Sequence, residues 1–221
     1  IIPPDVTIKD INLQEKTLTI NFSKELLEVN DKDEDKMIES IIYTLTSIDG
    51  IDKVIIKVEG EVLNKLPNSK TNIPTVLDKS YGINKSYDLS NLNDILSYTT
   101  YYTSTYNDTK YYVPVTKYIN SKDSDVVKII IKELGSSPIY QTNLMSYLNA
   151  NTVLNDYELD NNKLKLNFNE LLLNDLDKKN ILEEVIYTIS LSMNNVYDNL
   201  ESVSFLVNNE EIYIININDI K

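Results

Sequence analysis

Polar and hydrophobic residues alternate in short stretches near the start of the chain, a pattern typical of strands with one buried face. The stretches Val6 to Leu13 and Lys16 to Phe22 flank a polar turn and predict a hairpin. Val54 to Val58 predicts a further strand, which ends at Glu59-Gly60. Between these strands the apolar residues follow helical spacing, which predicts a helix lying on the sheet; they are Met37, Ile38, Ile41, Ile42 and Leu45.

The rest of the chain predicts more elements of the same two kinds. Six stretches have the composition or alternation of strands: Ser97 to Tyr106, Lys110 to Ile119, Thr152 to Leu159, Lys163 to Phe168, Val203 to Val207 and Ile212 to Ile217. Two sets of apolar residues have helical spacing: Val126, Val127, Ile130, Ile131 and Leu134, then Ile181, Leu182, Val185, Ile186 and Ile189. A short helix is also predicted over Asn143 to Leu148.

These elements contain an internal repeat. Leu13 to Leu27 aligns without a gap with Leu159 to Leu173, and both stretches carry an Asn-Phe pair at the end of a strand. Ile38 to Leu45 aligns with Leu182 to Ile189, and both carry Ile-Tyr-Thr. The first copy lacks a counterpart of the hairpin and helix predicted between 97 and 134. We therefore expect two similar units, of which the first is incomplete at its N-terminus.

The repeat also suggests how the chain is divided. Residues 63–96 lose their periodicity and collect turn-forming residues, which indicates a linker. The second half of a first unit then occupies residues 1–62, and a complete unit occupies residues 97–221. The expected fold class is α/β, of the α+β kind, in which each complete unit places two helices on one face of a mixed β-sheet.

The amino-acid composition excludes several classes of binding partner and catalytic site. The 221 residues carry a net charge of -13, and all 21 basic residues are lysines. Such a surface repels phosphate backbones, which argues against binding to nucleic acid. Cysteine and histidine are both missing, so disulfides, zinc–thiolate sites, thiol nucleophiles and the most common general base are excluded. The four glycines form no phosphate-binding loop.

Acidic residues suggest two further kinds of site, and neither is favoured. Asp31, Asp33 and Asp35 alternate as they do at the start of a calcium loop. Lys36 stands where that loop needs glycine, however, and Ile42 stands where it needs glutamate. An acidic start to the following helix explains these residues better. The second kind of site is a glycosidase-like pair of carboxylates. A solvated acidic surface explains the same residues better. We therefore predict no catalytic residue, no metal site and no cofactor.

Tyrosines are concentrated in the hairpin predicted between 97 and 119. Tyr98, Tyr102, Tyr106 and Tyr112 form the candidate interaction surface, because aromatic rings on a sheet can stack on sugars or anchor a protein partner. Tyrosine is also a good strand former in cross-strand pairs, and this structural role is the alternative explanation. The interaction hypothesis predicts that Tyr102→Asp or Tyr112→Asp weakens association.

Several short motifs mark the ends of the predicted elements. In the second copy they are Tyr111-Tyr-Val-Pro-Val115, Glu133-Leu-Gly135, Leu164-Lys-Leu-Asn-Phe-Asn169 and Ile186-Tyr-Thr-Ile189. In the first copy the comparable stretches are Val6 to Leu27, Ile42 to Thr46 and Ile51 to Gly60. In this order they resemble the GerM domain of sporulation and spore-germination proteins. The second copy departs from the first in three ways: it has Asn169 in place of Ser23, it lacks the Asp49-Gly50 end of the helix, and it inserts Asn194 to Asn199 before its strand.

This resemblance implies a noncatalytic protein that acts in sporulation or spore germination. It implies an exported protein, located outside the cytoplasm at the cell or forespore envelope and attached to the membrane through an anchor upstream of residue 1. The domain is also similar to ring-building modules, which implies an assembly or scaffold role, with other envelope or sporulation proteins or a second copy as partners. The alternative is a lipoprotein module that binds peptidoglycan or a small ligand.

Overall fold

The computed structural model describes residues 1–136, 143–177, 179–197 and 199–220. The chain divides into two compact units, Ile1–Asn84 and Lys85–Lys221, which we call unit 1 and unit 2. The described residues form eleven strands in three sheets together with three α-helices. The fold is therefore a mixed α+β fold, as the sequence predicts.

Unit 1 is a four-stranded sheet with one α-helix on one face. Its strands lie side by side in chain order: β1 (Ile8–Gln14), β2 (Thr17–Phe22), β3 (Lys53–Val58) and β4 (Glu61–Val62). Strands β2 and β3 are parallel, and the crossover between them contains helix α1 (Glu34–Leu45). Because alternate residues of a strand share a face, Leu18, Ile20 and Phe22 all point into the core beneath this helix.

The described residues of unit 2 form two sheets and two α-helices around one core. The first sheet has the order β5-β7-β6, formed by β5 (Ser86–Asp88), β6 (Ile95–Tyr106) and β7 (Thr109–Asn120). The second has the order β11-β10-β9-β8, formed by β8 (Leu154–Asp160), β9 (Lys163–Phe168), β10 (Ser202–Val207) and β11 (Glu210–Asn216). The helices are α2 (Val126–Gly135) and α3 (Glu183–Val196), and their apolar side chains join both sheets in a single cluster.

This arrangement corrects the prediction that each complete unit has one mixed sheet, because the hairpin of unit 2 forms a separate sheet with β5. Unit 1 has a single α-helix, as expected for an incomplete unit. The outer edge of β6 faces α3, where the backbone N–H of Tyr101 donates to Ser192 Oγ at 2.9 Å. The predicted short helix at 143–148 is also wrong. Met145 is extended there and exchanges backbone hydrogen bonds of 2.7 and 2.9 Å with Thr103, because this edge of β6 needs partners.

The segment predicted as a linker, 63–96, is shared between the two units. Its first part belongs to unit 1, where the apolar residues Leu66, Ile73 and Leu77 are buried in the core. Leu77 also pairs with Val54 of β3 through two backbone hydrogen bonds of 2.7 and 2.8 Å. These residues therefore form part of the packing of unit 1.

Buried carboxylates of α1 hold this segment in place. Glu34 Oε2 accepts the backbone N–H of Asn68 at 2.6 Å, and Glu34 Oε1 accepts that of Ser69 at 3.1 Å. Glu39 accepts the backbone N–H of Asn84 at 2.9 Å. Burial disfavours the charged form of Glu34, but these hydrogen bonds outweigh it and hold the pKa of the carboxyl below its usual value. The acidic residues at the start of α1 thus organise a loop.

The two copies of the repeat share the same strand pairing. Phe22 and Phe168 each end a strand that lies between an antiparallel neighbour and a parallel one, and each is buried. Their paired residues correspond in the two units: Ile8 and Val58 for Phe22, and Leu154 and Val207 for Phe168. Both antiparallel ladders also have an irregularity at the same place, one residue after Ile8 and one residue after Leu154. The repeat is therefore a repeat of three-dimensional structure.

The asparagine of each Asn-Phe pair has the same hydrogen bond. Asn21 Oδ1 accepts the backbone N–H of Gly60 at 2.9 Å, and Asn167 Oδ1 accepts that of Asn209 at 2.9 Å. Gly60 and Asn209 both have positive φ, in the turns that follow the parallel strands. Glycine and asparagine are the residues that tolerate this conformation best. The asparagine side chains thus fasten these turns to the preceding hairpins.

The exchange of Ser23 for Asn169 between the copies preserves a contact. Ser23 Oγ accepts the backbone N–H of Thr7 at 3.0 Å, and Asn169 Oδ1 accepts the N–H of Val153 at 3.1 Å. A hydroxyl and an amide oxygen are both hydrogen-bond acceptors, so either residue satisfies the same donor. The change from serine to asparagine therefore keeps the local structure.

Candidate interaction surfaces

The four candidate tyrosines of the β6–β7 hairpin lie in different surroundings. Tyr98, Tyr102 and Tyr106 alternate along one face of β6, whereas Tyr112 of β7 pairs with Thr103 on the other face. Tyr98 and Tyr102 are 6% and 4% exposed, so both belong to the core of unit 2. Tyr106 is 71% exposed. Accordingly, only part of the predicted surface is accessible.

Tyr102 takes part in a polar cluster between the hairpin and α2. Its hydroxyl donates to Glu133 Oε1 at 2.9 Å, and the Lys117 ammonium group pairs with the same oxygen. Burial and then the charge of Glu133 raise the pKa of Tyr98 and Tyr102 far above the usual range. The Tyr102 phenol therefore stays protonated and acts as a structural donor.

Tyr112 is half-buried and connects the hairpin to α3. Its ring centroid lies 5.4 Å from that of Tyr187, and the two rings are tilted by 51°. Burial, followed by the charges of Glu183 and Glu184, raises the pKa of Tyr112 to about 12. Lys110 pairs with Glu184 a short distance away. These contacts join β7 to α3 and leave only part of the Tyr112 ring to solvent.

Two exposed tyrosines remain at the end of the hairpin. Tyr106 and Tyr111 lie on the same face of the sheet, on either side of the Asn107–Asp108 turn, and both are exposed. Both turn residues have positive φ, as a tight two-residue hairpin turn requires. We call Tyr106 and Tyr111 the tyrosine tip. Tyr111 belongs to the same tyrosine-rich hairpin but stands outside the four predicted candidates, and the strand register is the signal that places it on the face of Tyr106.

Unit 1 has a polar groove on the sheet face that points away from α1. It is an open groove with a volume of about 770 Å³, lined by Asn12, Gln14, Glu15, Thr17, Thr19, Asp52, Lys53 and Ile55. Amide, hydroxyl and charged groups dominate this lining. The sequence analysis did not predict the groove, although the polar positions of its alternating strands are the ones that line it.

Neither a metal site nor a membrane span is present in the part of the chain that the structure describes. No three His, Cys, Asp or Glu side chains in those ranges are grouped so that they could hold a metal ion. No described helix has both the length and the apolar character needed to cross a bilayer.

The features described above define a protein of two related α+β units with accessible tyrosines and no metal cluster among the described residues. Residues 1–64 and 99–213 match the model of the Germane family, which is described as sporulation and spore germination. The chain belongs to this family, which confirms the resemblance inferred from the motifs.

The chain is similar in both sequence and structure to GerM of Bacillus subtilis. The chain is 30% identical over 214 residues to the spore germination protein GerM of strain 168. That match covers 94% of this chain and 58% of the relative, so the chain spans little more than half of the relative's length. The structure is similar to the tandem GerMN domains of the sporulation protein GerM, with a TM-score of 0.85 and 29% identity. This second match covers 95% of this chain and 73% of that one.

Proposed function

We propose that this protein is a noncatalytic assembly module that acts in sporulation or spore germination at the cell or forespore envelope. In this proposal the module lies outside the cytoplasm and is anchored upstream of residue 1. Its partners are other sporulation proteins or a second copy of itself. Membership of the sporulation and spore germination family supports the biological setting. The exposed tyrosine tip carries the proposal of an assembly role.

The tyrosine tip has the properties of an anchor for a protein partner. Tyrosine offers a large rigid ring and a hydroxyl for hydrogen bonding, and it is enriched at the centres of protein interfaces. The tip ends a hairpin that is fixed to α2 by Glu133 and to α3 by Glu184. A contact on a rigid element loses little conformational entropy on binding. The net charge of -13 opposes nonspecific association. Association through a small, specific contact such as the tyrosine tip is therefore favoured over a broad nonspecific one.

A charge at the tip tests this role. In the full-length protein we expect Tyr106→Asp to weaken self-association, or capture of a purified sporulation partner, by at least about tenfold, the effect of losing a hot-spot side chain. Sedimentation velocity over a range of concentrations measures the first effect, and titration calorimetry measures the second. Thr105→Asp is the control, because it adds the same charge at an exposed position on the other face of β6.

If Tyr106→Asp and Thr105→Asp bind equally well, the tyrosine tip is not part of the interface. If the full-length protein stays monomeric and captures no sporulation protein, the assembly role is wrong.

The polar groove of unit 1 favours a second function, the binding of a glycan such as peptidoglycan. Its hydroxyl and amide groups are suited to hydrogen bonds with sugar hydroxyls. This function predicts that the protein sediments with purified peptidoglycan and that Asn12→Ala with Thr19→Val reduces the bound fraction severalfold. Thr105→Val, a strand change outside the groove, serves as the control. If the protein without substitutions stays in the supernatant when peptidoglycan is sedimented, this function is excluded.

A further inference from the structure

A small pocket in unit 2 lies between helix α3 and the edge strand β11. Its volume is about 290 Å³, and its lining includes Glu183 and Tyr187 of α3 and Ile212 and Tyr213 of β11. Ile212 is the extra residue of a bulge in β11, so it lines the pocket together with its neighbour Tyr213. A bulge at a sheet edge re-aims side chains in this way.

The helix side of the pocket carries a pair of residues that also occurs in unit 1. In the repeat, Glu183 and Tyr187 align with Glu39 and Tyr43. The pair in unit 1 holds the backbone of residues 79–84. The carboxylate of Glu39 accepts a backbone N–H at 2.9 Å, and the hydroxyl of Tyr43 donates to a backbone carbonyl oxygen at 3.2 Å. This arrangement of side chains therefore binds polypeptide once in the chain already.

In unit 2 the corresponding pair faces the pocket. Glu39 is 3% exposed, whereas Glu183 is an exposed residue. Within the described part of unit 2, no group forms a hydrogen bond with the Glu183 carboxylate or with the Tyr187 hydroxyl. The acceptor and the donor that hold backbone in unit 1 are therefore accessible to a second polypeptide in unit 2.

The charges around the pocket favour a basic occupant. Lys179, which also lines the pocket, is paired with both carboxylate oxygens of Glu210, at 2.6 and 2.8 Å. The negative charge of Glu183 has no such partner in the described ranges. Burial, followed by the charge of Glu183, raises the pKa of Tyr187, as a negative environment does. A second copy fits less well, because two chains with a net charge of -13 repel each other.

We propose that this pocket binds a basic segment of a protein partner. The Glu183 carboxylate accepts a backbone N–H of that segment, and the Tyr187 hydroxyl donates to one of its carbonyl oxygens. The stem of a lysine or arginine side chain lies along Ile212, with its charge beside the ring of Tyr213. The pocket shares no residue with the tyrosine tip or with the groove of unit 1, so this inference does not depend on either of their roles.

A peptide taken from the chain itself tests the proposal. Residues 79–85, Lys-Ser-Tyr-Gly-Ile-Asn-Lys, include the segment that the matched pair holds in unit 1 and carry two lysines. We expect the fluorescently labelled peptide to bind the full-length protein saturably, as measured by fluorescence anisotropy. Glu183→Gln should weaken this binding at least about fivefold, because hydrogen bonds to a charged group are stronger than those to a neutral one.

Two further variants make the test specific. Tyr187→Phe should weaken binding about threefold, the effect of losing one hydrogen bond, while its ring stays in place. Glu158→Gln is the control, because it removes the same charge from an exposed position of β8, at the opposite edge of the same sheet. It should leave binding unchanged. Circular dichroism shows whether each variant is folded, and either pocket variant carries the test if the other does not fold.

Three results would overturn the proposal. The first is that the peptide does not bind the protein without substitutions, and the second is that Glu183→Gln and Glu158→Gln weaken binding equally. The third is that a peptide with glutamate in place of both lysines binds as tightly as the original. Displacement of the labelled peptide by an N-acetylglucosamine trisaccharide would assign the pocket to a sugar and would also contradict the assignment to a polypeptide.

Discussion

Replacing Tyr102 with Asp is expected to unfold unit 2. The change removes an almost completely buried ring, and truncation of a buried aromatic side chain costs about 3–5 kcal/mol. It also brings a second carboxylate next to Glu133, where burial and like charge both oppose ionisation. The combined loss is comparable with the total stability of a typical domain, about 5–15 kcal/mol. Thermal unfolding by circular dichroism, with amide exchange in β6 and β7, measures it.

Tyr102→Phe is the matched control for this change. It keeps the ring and removes only the hydroxyl that donates to Glu133, which still pairs with Lys117. The expected loss is therefore only about 1 kcal/mol, the usual value for one hydrogen bond. If Tyr102→Asp leaves amide protection in unit 2 intact and weakens association instead, Tyr102 belongs to the interaction surface.

The strands and helices of the repeat could be predicted from the sequence because each element is amphipathic. The paired strands at Thr17–Phe22 and Lys163–Phe168 alternate apolar and polar residues, and the helices carry apolar residues at helical spacing. The shared Asn-Phe and Ile-Tyr-Thr motifs revealed the duplication. In the structure the two motif asparagines fasten turns, and the phenylalanines and isoleucines of the motifs fill the cores.

The arrangement of the β6–β7 hairpin could not be predicted in the same way. Alternation shows which residues of a strand share a face, but it does not show which element covers that face or its edge. Tyr98 and Tyr106 are eight residues apart on the same face, yet the first is buried in the core and the second is exposed. The approach of α3 to β6 depends on small residues such as Thr188 and Ser192, which sequence analysis treats as polar surface.

The turn-rich composition of residues 63–84 does not show which of these residues are buried in unit 1. Leu66 and Ile73 are isolated apolar residues with no period, so they give no strand or helix signal. Both are buried, and the carboxylate of Glu34 binds the loop between them. A long-range contact of this kind has no local signature, and only the three-dimensional structure reveals it.

The two units are built on the same buried framework, and paired truncations at Phe22 and Phe168 test this shared framework most directly. Both rings are buried at the same place in equivalent ladders, so each change to Ala is expected to cost about 3–5 kcal/mol. Tyr213→Ala, at an exposed position of β11, is the control and should cost less than about 1 kcal/mol.

The decisive measurement is amide hydrogen exchange by mass spectrometry on the two variants. Phe22→Ala should lower protection chiefly in β2 and β3, and Phe168→Ala should lower it by a similar factor in β9 and β10. A large loss of protection from one of these changes together with a negligible loss from the other would contradict the claim that both units share one framework.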